Sequence, residues 1–194
     1  MLRLGVLASH QGTNFQTIAD ACAEGSLNAK IIALICNNSK APAMERAVRM
    51  EVPTYHLSAA THPQESALDT AIHEHLTTAR VQLVVLAGYM KKLGPLVLNK
   101  FAGRIINVHP SLLPKHGGQG YFGMRVHEAV IATGDRETGA TVHHVTEQYD
   151  EGATIRQKSI AVTSEDTPET IARKVHVIEY RLLLETIKEF AERP

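Results

Sequence analysis

Two polar side chains close the apolar run Ile105-Ile-Asn-Val-His-Pro: Asn107 and His109. The run is rich in β-branched residues and predicts a buried strand over 104–108. Residues two apart on a strand share a face, so the amide and the imidazole point the same way. Both can donate a hydrogen bond to one oxygen, which makes them a candidate pair for stabilising an oxyanion. Pro110 and Pro114 stop the strand and stiffen its exit. Asp150, in Tyr-Asp-Glu-Gly, is the residue type that could complete this chemistry. An Asp close to a Gly is common in turns. If that turn packs beside His109, the carboxylate raises the imidazole pKa and offers a proton acceptor.

A second candidate lies at the start of the chain. Leu2–Ala8 reads as a strand, Ser9–Asn14 as a small polar loop, and Phe15–Ala23 as a helix with Phe15, Ile18, Ala19 and Cys22 on one side. Such a loop can hold an anion on backbone N–H groups at a helix start. It is neither a Walker A nor a G-x-G-x-x-G motif. An ordinary turn with Thr13 or Asn14 as helix cap fits the same residues.

The elements that must position these groups follow in alternation. Strands are expected at 29–36, 54–57, 81–87 and 104–108, and helices at 41–50, 62–80, 93–99 and 124–133. Ala140–Val145 and Thr154–Val162 read as antiparallel strands around the Asp150 loop. A helix over 167–190 closes the chain, with Thr167 as its cap and Pro168 in its first turn. The pattern predicts an α/β fold, a doubly wound, mostly parallel, Rossmann-like sheet with antiparallel C-terminal strands. Ligands then sit beyond the C-terminal strand ends, near Ser9–Asn14, Gly88–Lys92 and His109–Gly120. The segment 115–123 holds four glycines in nine residues, which suits close approach to a ligand or a flexible connection.

Composition narrows the function. The chain has 194 residues, 44% hydrophobic and 21% charged, with 20 basic and 20 acidic side chains. One domain is expected. A zero formal charge gives no argument for nucleic acid or an anionic membrane. The 2 cysteines, Cys22 and Cys36, have no metal or redox spacing, and the 11 histidines show no recurring ligand pattern. No apolar run reaches membrane-spanning length, and the cytoplasm is the expected location.

With these residues assembled, the chain resembles the glycinamide ribonucleotide formyltransferases of purine synthesis, in the folate-dependent formyltransferase family. The resemblance rests on Ile106-Asn-Val-His-Pro-Ser-Leu-Leu-Pro114, Thr138-Gly-Ala-Thr-Val-His143, Tyr149-Asp-Glu-Gly152, Val85-Leu-Ala-Gly-Tyr-Met90 and Gly12-Thr-Asn14. It covers essentially the whole chain. It implies one formyltransferase domain over 1–194, with a phosphate side over about 1–104 and a folate and catalytic side over about 105–194. It implies Asn107, His109 and Asp150 as catalytic residues, and Gly12, Thr13, Asn14, Met90 and Glu179 as contacts of glycinamide ribonucleotide. It implies Tyr89, Met90, Leu93, Val108, His143, Val145 and Asp150 as lining of the folate site. It implies 10-formyltetrahydrofolate as co-substrate, with no metal. The expected partners are these small molecules, with no nucleic acid and no membrane, and the expected state is a monomer or homodimer. A formyl-tetrahydrofolate hydrolase and a non-catalytic nucleotide-binding α/β module are the alternatives.

Overall fold

The computed structural model describes residues 1–192. Residues 193 and 194, the end of the expected domain, lie outside them. The strands form a seven-stranded sheet in the order β3-β2-β1-β4-β5-β6-β7. By their packing the residues group into two compact units, one of 1–107 with the chain from 187 onward and one of 108–186.

The first unit is the parallel part. Its strands are β1 (Leu2–Ala8), β2 (Ala29–Cys36), β3 (Thr54–His56), β4 (Leu83–Leu86) and the beginning of β5 (Ile105–His109). β1 pairs with β2 and β4, β2 with β3, and β4 with β5, all parallel. Each connection is a helix: α1 (Thr13–Ala23), α2 (Pro42–Arg49), α3 (Glu65–Thr78) and α4 (Pro95–Lys100). Every residue of β4 is buried, which explains its unbroken apolar sequence. Phe15 and Ile18 of α1 are fully buried, as their spacing predicts. Each contributes about 1.5–3 kcal/mol by leaving water.

Two details of this unit depart from expectation. α1 starts two residues early, at Thr13, and its cap is Gly12 in a left-handed conformation, φ 70° and ψ 30°. Neither Thr13 nor Asn14 caps it, because both already lie in the helix. α4 starts at Pro95, and its first turn is held from a distance. The buried Asp69 of α3 accepts the N–H groups of Leu96 at 2.8 Å and Val97 at 3.2 Å. A side chain on Gly94 would collide with that carboxylate.

The second unit holds the end of β5, α5 (Met124–Ala132), β6 (Glu137–His144), β7 (Thr154–Ala161) and most of α6 (Pro168–Glu192). β6 and β7 are antiparallel, as expected, in register from Glu137↔Ala161 to His143↔Thr154 with a bulge after Val142. β6 begins three residues earlier than its apolar stretch, because the ladder with β7 includes the polar Glu137 and Thr138. The two backbones come so close that a Cβ on Gly139 would land on the Lys158 carbonyl, and one on Gly152 on the His144 carbonyl. The N–H of Thr170 bonds the Thr167 hydroxyl at 3.3 Å, so Thr167 does cap α6.

No helix among the described residues is long and apolar enough to cross a membrane. No group of three or more His, Cys, Asp or Glu among them is placed to hold a metal ion.

Candidate active site

In the first unit the loop after β1 is set by backbone geometry. The left-handed Gly12 turns the chain into α1, and a Cβ there would meet Ala43 Cβ at 2.7 Å and Cα at 2.8 Å. Only glycine fits on both counts. The loop is also fixed from α2: Ala43 N–H donates to the His10 carbonyl at 3.1 Å, and Arg46 Nε to the Gln11 carbonyl at 2.9 Å. The N–H groups of a helix's first turn have no partner inside the helix. The first turn of α1 carries no acidic side chain to compete for them. Thr13 is exposed, while Asn14 is half-buried and its Oδ1 has no hydrogen-bond partner. Such an atom suits a ligand's N–H or O–H.

The loop after β4 belongs to the same unit. Met90 N–H donates to the hydroxyl of the buried Ser9 at 2.8 Å, and Ser9 N–H to the Gly88 carbonyl at 3.1 Å. These bonds bring together the two loops that the sequence places at one strand-end edge. Tyr89 and Leu93 are buried, and Met90 is half-buried. Asn107, the last residue of the unit's first segment, is half-buried and in register with Leu86 of β4.

The second unit carries the titratable cluster. His109, only 4% exposed, ends β5. Its Nδ1 stands 3.5 Å from Asp150 Oδ2, and its Nε2 stands 2.7 Å from the main-chain oxygen of His116. A carbonyl can only accept, so Nε2 carries the proton in that bond. Asp150 has φ 58°, a left-handed conformation unusual for a residue with a Cβ, inside the β6–β7 loop. Its Oδ2 also accepts the Gly118 N–H at 2.9 Å, and its Oδ1 stands 3.4 Å from His143 Nε2. His143, buried at 2% exposure, gives its Nδ1 proton to the His144 carbonyl at 2.8 Å. The Asp150 turn therefore does lie beside His109. The buried Thr141 of β6 fixes the exit from β5: its hydroxyl donates to the Ser111 carbonyl at 2.7 Å and accepts the Leu113 N–H at 3.1 Å. Val108 is buried and Val145 half-buried.

The electrostatics bear out one expectation and add an opposing cause. Asp150 does raise the His109 pKa, but burial lowers it more, and the net position is below the ordinary 6.5. The neighbouring His143 and His116 push the same way as burial. Burial thus favours the neutral imidazole, with its proton on Nε2. For Asp150, burial raises the pKa, yet its contact with His143, the charge of His109 and the Gly118 N–H together take it below its usual value.

Glu179 of α6 is buried, with His176 Nε2 3.7 Å from its Oε2. Two further groups of this unit carry no spacing signal in the sequence. His127 of α5 is 2% exposed, its Nδ1 lacks a hydrogen-bond partner, and burial with the nearby His176 and His109 pushes its pKa down to about 4. Asp135 accepts from His116 Nε2 at 2.6 Å and from Lys115 Nζ at 2.9 Å, and sits at about 2 for that reason. A cleft of about 400 Å³ between β7 and α6 is lined by Arg156, Lys158, Arg181 and Glu185 and holds none of the candidate residues. Arg181 and Arg156 pair there with Glu185 at 2.8 and 3.7 Å.

The family model described as formyl transferase matches residues 2–187. A phosphoribosylglycinamide formyltransferase of Haemophilus influenzae is 40% identical over 99% of this chain and 88% of its own length. A chloroplastic protein of the same name from Arabidopsis thaliana is 34% identical over 98% of this chain and 65% of its own length. The crystal structure of glycinamide ribonucleotide transformylase 1 from Symbiobacterium toebii superposes with a TM-score of 0.92 at 38% identity, over 99% of this chain and 88% of that one. The chain belongs to the formyl transferase family.

Proposed function

We propose that this protein transfers the formyl group of 10-formyltetrahydrofolate to the amine of glycinamide ribonucleotide, a step of purine synthesis. The observation that carries the chemistry is the buried His109 with the Asp150 carboxylate 3.5 Å from its Nδ1. The substrates come from the name that the full-length relatives share.

Asn107 and His109 are two residues apart on β5. Strand alternation supports their donating to the same formyl oxygen as the amine adds to the formyl carbon. His109 begins neutral, with its proton on Nε2. Negative charge building on that oxygen favours the cation, as does the Asp150 carboxylate. Asp150 stays ionised at neutral pH. It takes the one proton shed by the amine, directly or through a water, and passes it to His109 Nδ1, which then donates it to the oxyanion while the carboxylate holds the charge of the ring. Release of that same proton to the departing folate nitrogen completes the transfer, and no covalent enzyme intermediate is required.

The Gly12-Thr13-Asn14 loop suits the ribonucleotide phosphate, supported by its left-handed turn and the open N–H groups of α1. Glu179 suits the cationic or amide end of that substrate, with Met90 beside the ribonucleotide. Tyr89, Met90, Leu93, Val108, His143, Val145 and Asp150 are assigned to the folate. The phosphate side is then about 1–104 and the folate side about 105–194 of one formyltransferase domain. The reaction asks no more than one chain, as monomer or homodimer, and the cytoplasm is the compartment this reading gives.

The test is an absorbance assay with purified protein and the 10-formyl folate donor, with and without glycinamide ribonucleotide. Turnover only with the amine is the expected result. Equal turnover without it, releasing formate, overturns the reading in favour of a hydrolase.

A further inference from the structure

One bond of His109 is left unused by the chemistry above. Its Nε2 proton is given to the main-chain oxygen of His116, at 2.7 Å. His116 has φ 50°, a backbone conformation that a Cβ disfavours, so something must hold it there. Its own ring does so. His116 Nε2 donates to Asp135 Oδ2 at 2.6 Å, and both side chains are largely buried, at 10% and 16% exposure. Asp135 is itself fixed by Lys115 Nζ at 2.9 Å and by the Thr133 hydroxyl at 3.2 Å. The ring of Tyr121 lies 5.8 Å from that of His116. A continuous path thus runs from the carboxylate of Asp135, through the His116 ring and backbone, to the imidazole of His109.

We propose that Asp135 is a positioning residue for His109: by gripping the His116 ring it keeps the His116 carbonyl on His109 Nε2 and so fixes which ring nitrogen holds the proton. The inference rests on the reading that His109 acts on the formyl group. A neutral imidazole has one proton and two nitrogens. Here Nδ1 faces Asp150, and the other charged or titratable neighbours of His109 are His143 on β6, His116 in its own loop and His127 on α5. Of these, His116 is the one that gives Nε2 an acceptor, its main-chain carbonyl at 2.7 Å. Without that carbonyl the Asp150 carboxylate draws the single proton to Nδ1, which gives the opposite tautomer and a freer ring. With it, Nδ1 is the nitrogen that stays open for the second proton, on the side where Asp150 is ready to balance the charge. The state of His109 is in this way set by a residue that touches neither it nor the substrates.

The experiment is nitrogen NMR of histidine-labelled full-length protein without substrates, together with steady-state kinetics, on the wild type, Asp135→Asn and His116→Phe. The expected result is a wild-type His109 protonated at Nε2 at neutral pH. In both variants the population shifts toward the Nδ1 tautomer. Their kcat falls roughly tenfold or more while KM for both substrates stays within about twofold. If Asp135→Asn does not fold, His116→Phe decides the question, since it keeps the ring's bulk and loses only the grip. An unchanged His109 tautomer in the folded variants overturns the proposal. The NMR arm needs no turnover. A wild type that shows the tautomer shift on mutation but no formyl transfer removes the assigned reaction and leaves the clamp standing. An active wild type with an unmoved tautomer removes the clamp alone.

Discussion

Asp150 divides its two oxygens between two histidines: Oδ2 faces His109 Nδ1 at 3.5 Å, and Oδ1 faces His143 Nε2 at 3.4 Å. The contact with His143 is the strongest influence lowering the carboxylate pKa against its burial. His143→Asn therefore raises the pKa of Asp150. The acid limb of kcat/KM against pH moves to higher pH, because the carboxylate is protonated sooner as pH falls. An acid limb in the same place as the wild type would show that His143 does not act on Asp150.

Removing the reacting groups gives the largest effects. Asn107→Ala, His109→Ala and Asp150→Asn are each expected to lower kcat on the order of 10²–10³, the usual effect of losing an oxyanion donor or a proton-transfer partner. Circular dichroism should show the folded state retained. Near-normal turnover in the purified His109 and Asp150 variants would remove the roles assigned to them.

Gly12→Ala tests the phosphate loop. A Cβ is strained at φ 70° and meets Ala43 at under 3 Å, so the loop must shift. The expected cost is about 1–3 kcal/mol of stability, with KM for the ribonucleotide raised roughly tenfold and KM for the folate little changed. Equal KM values for the ribonucleotide in the two proteins would place its phosphate elsewhere.

His127 makes the fold acid-sensitive. In the unfolded chain a histidine titrates near 6.5, whereas His127 in the folded state titrates at about 4. Between those values the unfolded chain takes up a proton that the folded chain refuses. Stability is therefore full above pH 6.5 and falls as pH drops toward 4, at up to about 1.4 kcal/mol per pH unit from this group. His109 and His176 are shifted in the same direction and add to the loss. His127→Leu should flatten the dependence of Tm on pH over that window. Parallel curves for the two proteins would contradict it.

Asp69 offers a stability effect separate from the chemistry. It is buried and holds two N–H groups of α4. Asp69→Ala leaves those donors unmet and should cost about 2–3 kcal/mol in denaturant unfolding, with kcat near the wild-type value. An unchanged unfolding midpoint would mean that water replaces the carboxylate.

The alternation of elements was legible because apolar periodicity is local, and β1, β2 and the Asn107–His109 face follow from it directly. The position of Asp150 beside His109 was legible only as a condition, since a turn residue gives no sign of what it packs against. Other features left no trace in residue type. The contact that His116 makes with His109 is through a main-chain oxygen, which every residue possesses. Asp135 follows Gly134 and looks like the end of a helix. Asp69 falls among the alanines of α3 and looks solvated, though it is 4% exposed. The direction of the His109 pKa depends on burial depth, which spacing does not encode.

The hairpin that carries Asp150 is keyed at two points where no side chain fits, Gly139 against Lys158 and Gly152 against His144. A slip of one residue along β6 would bring Thr138 or Ala140 against the Lys158 carbonyl, and the strands could not close. Shape thus excludes the slipped register alongside the facing of the side chains. The two missing side chains work as a notch and key that fix where the hairpin holds its carboxylate against His109.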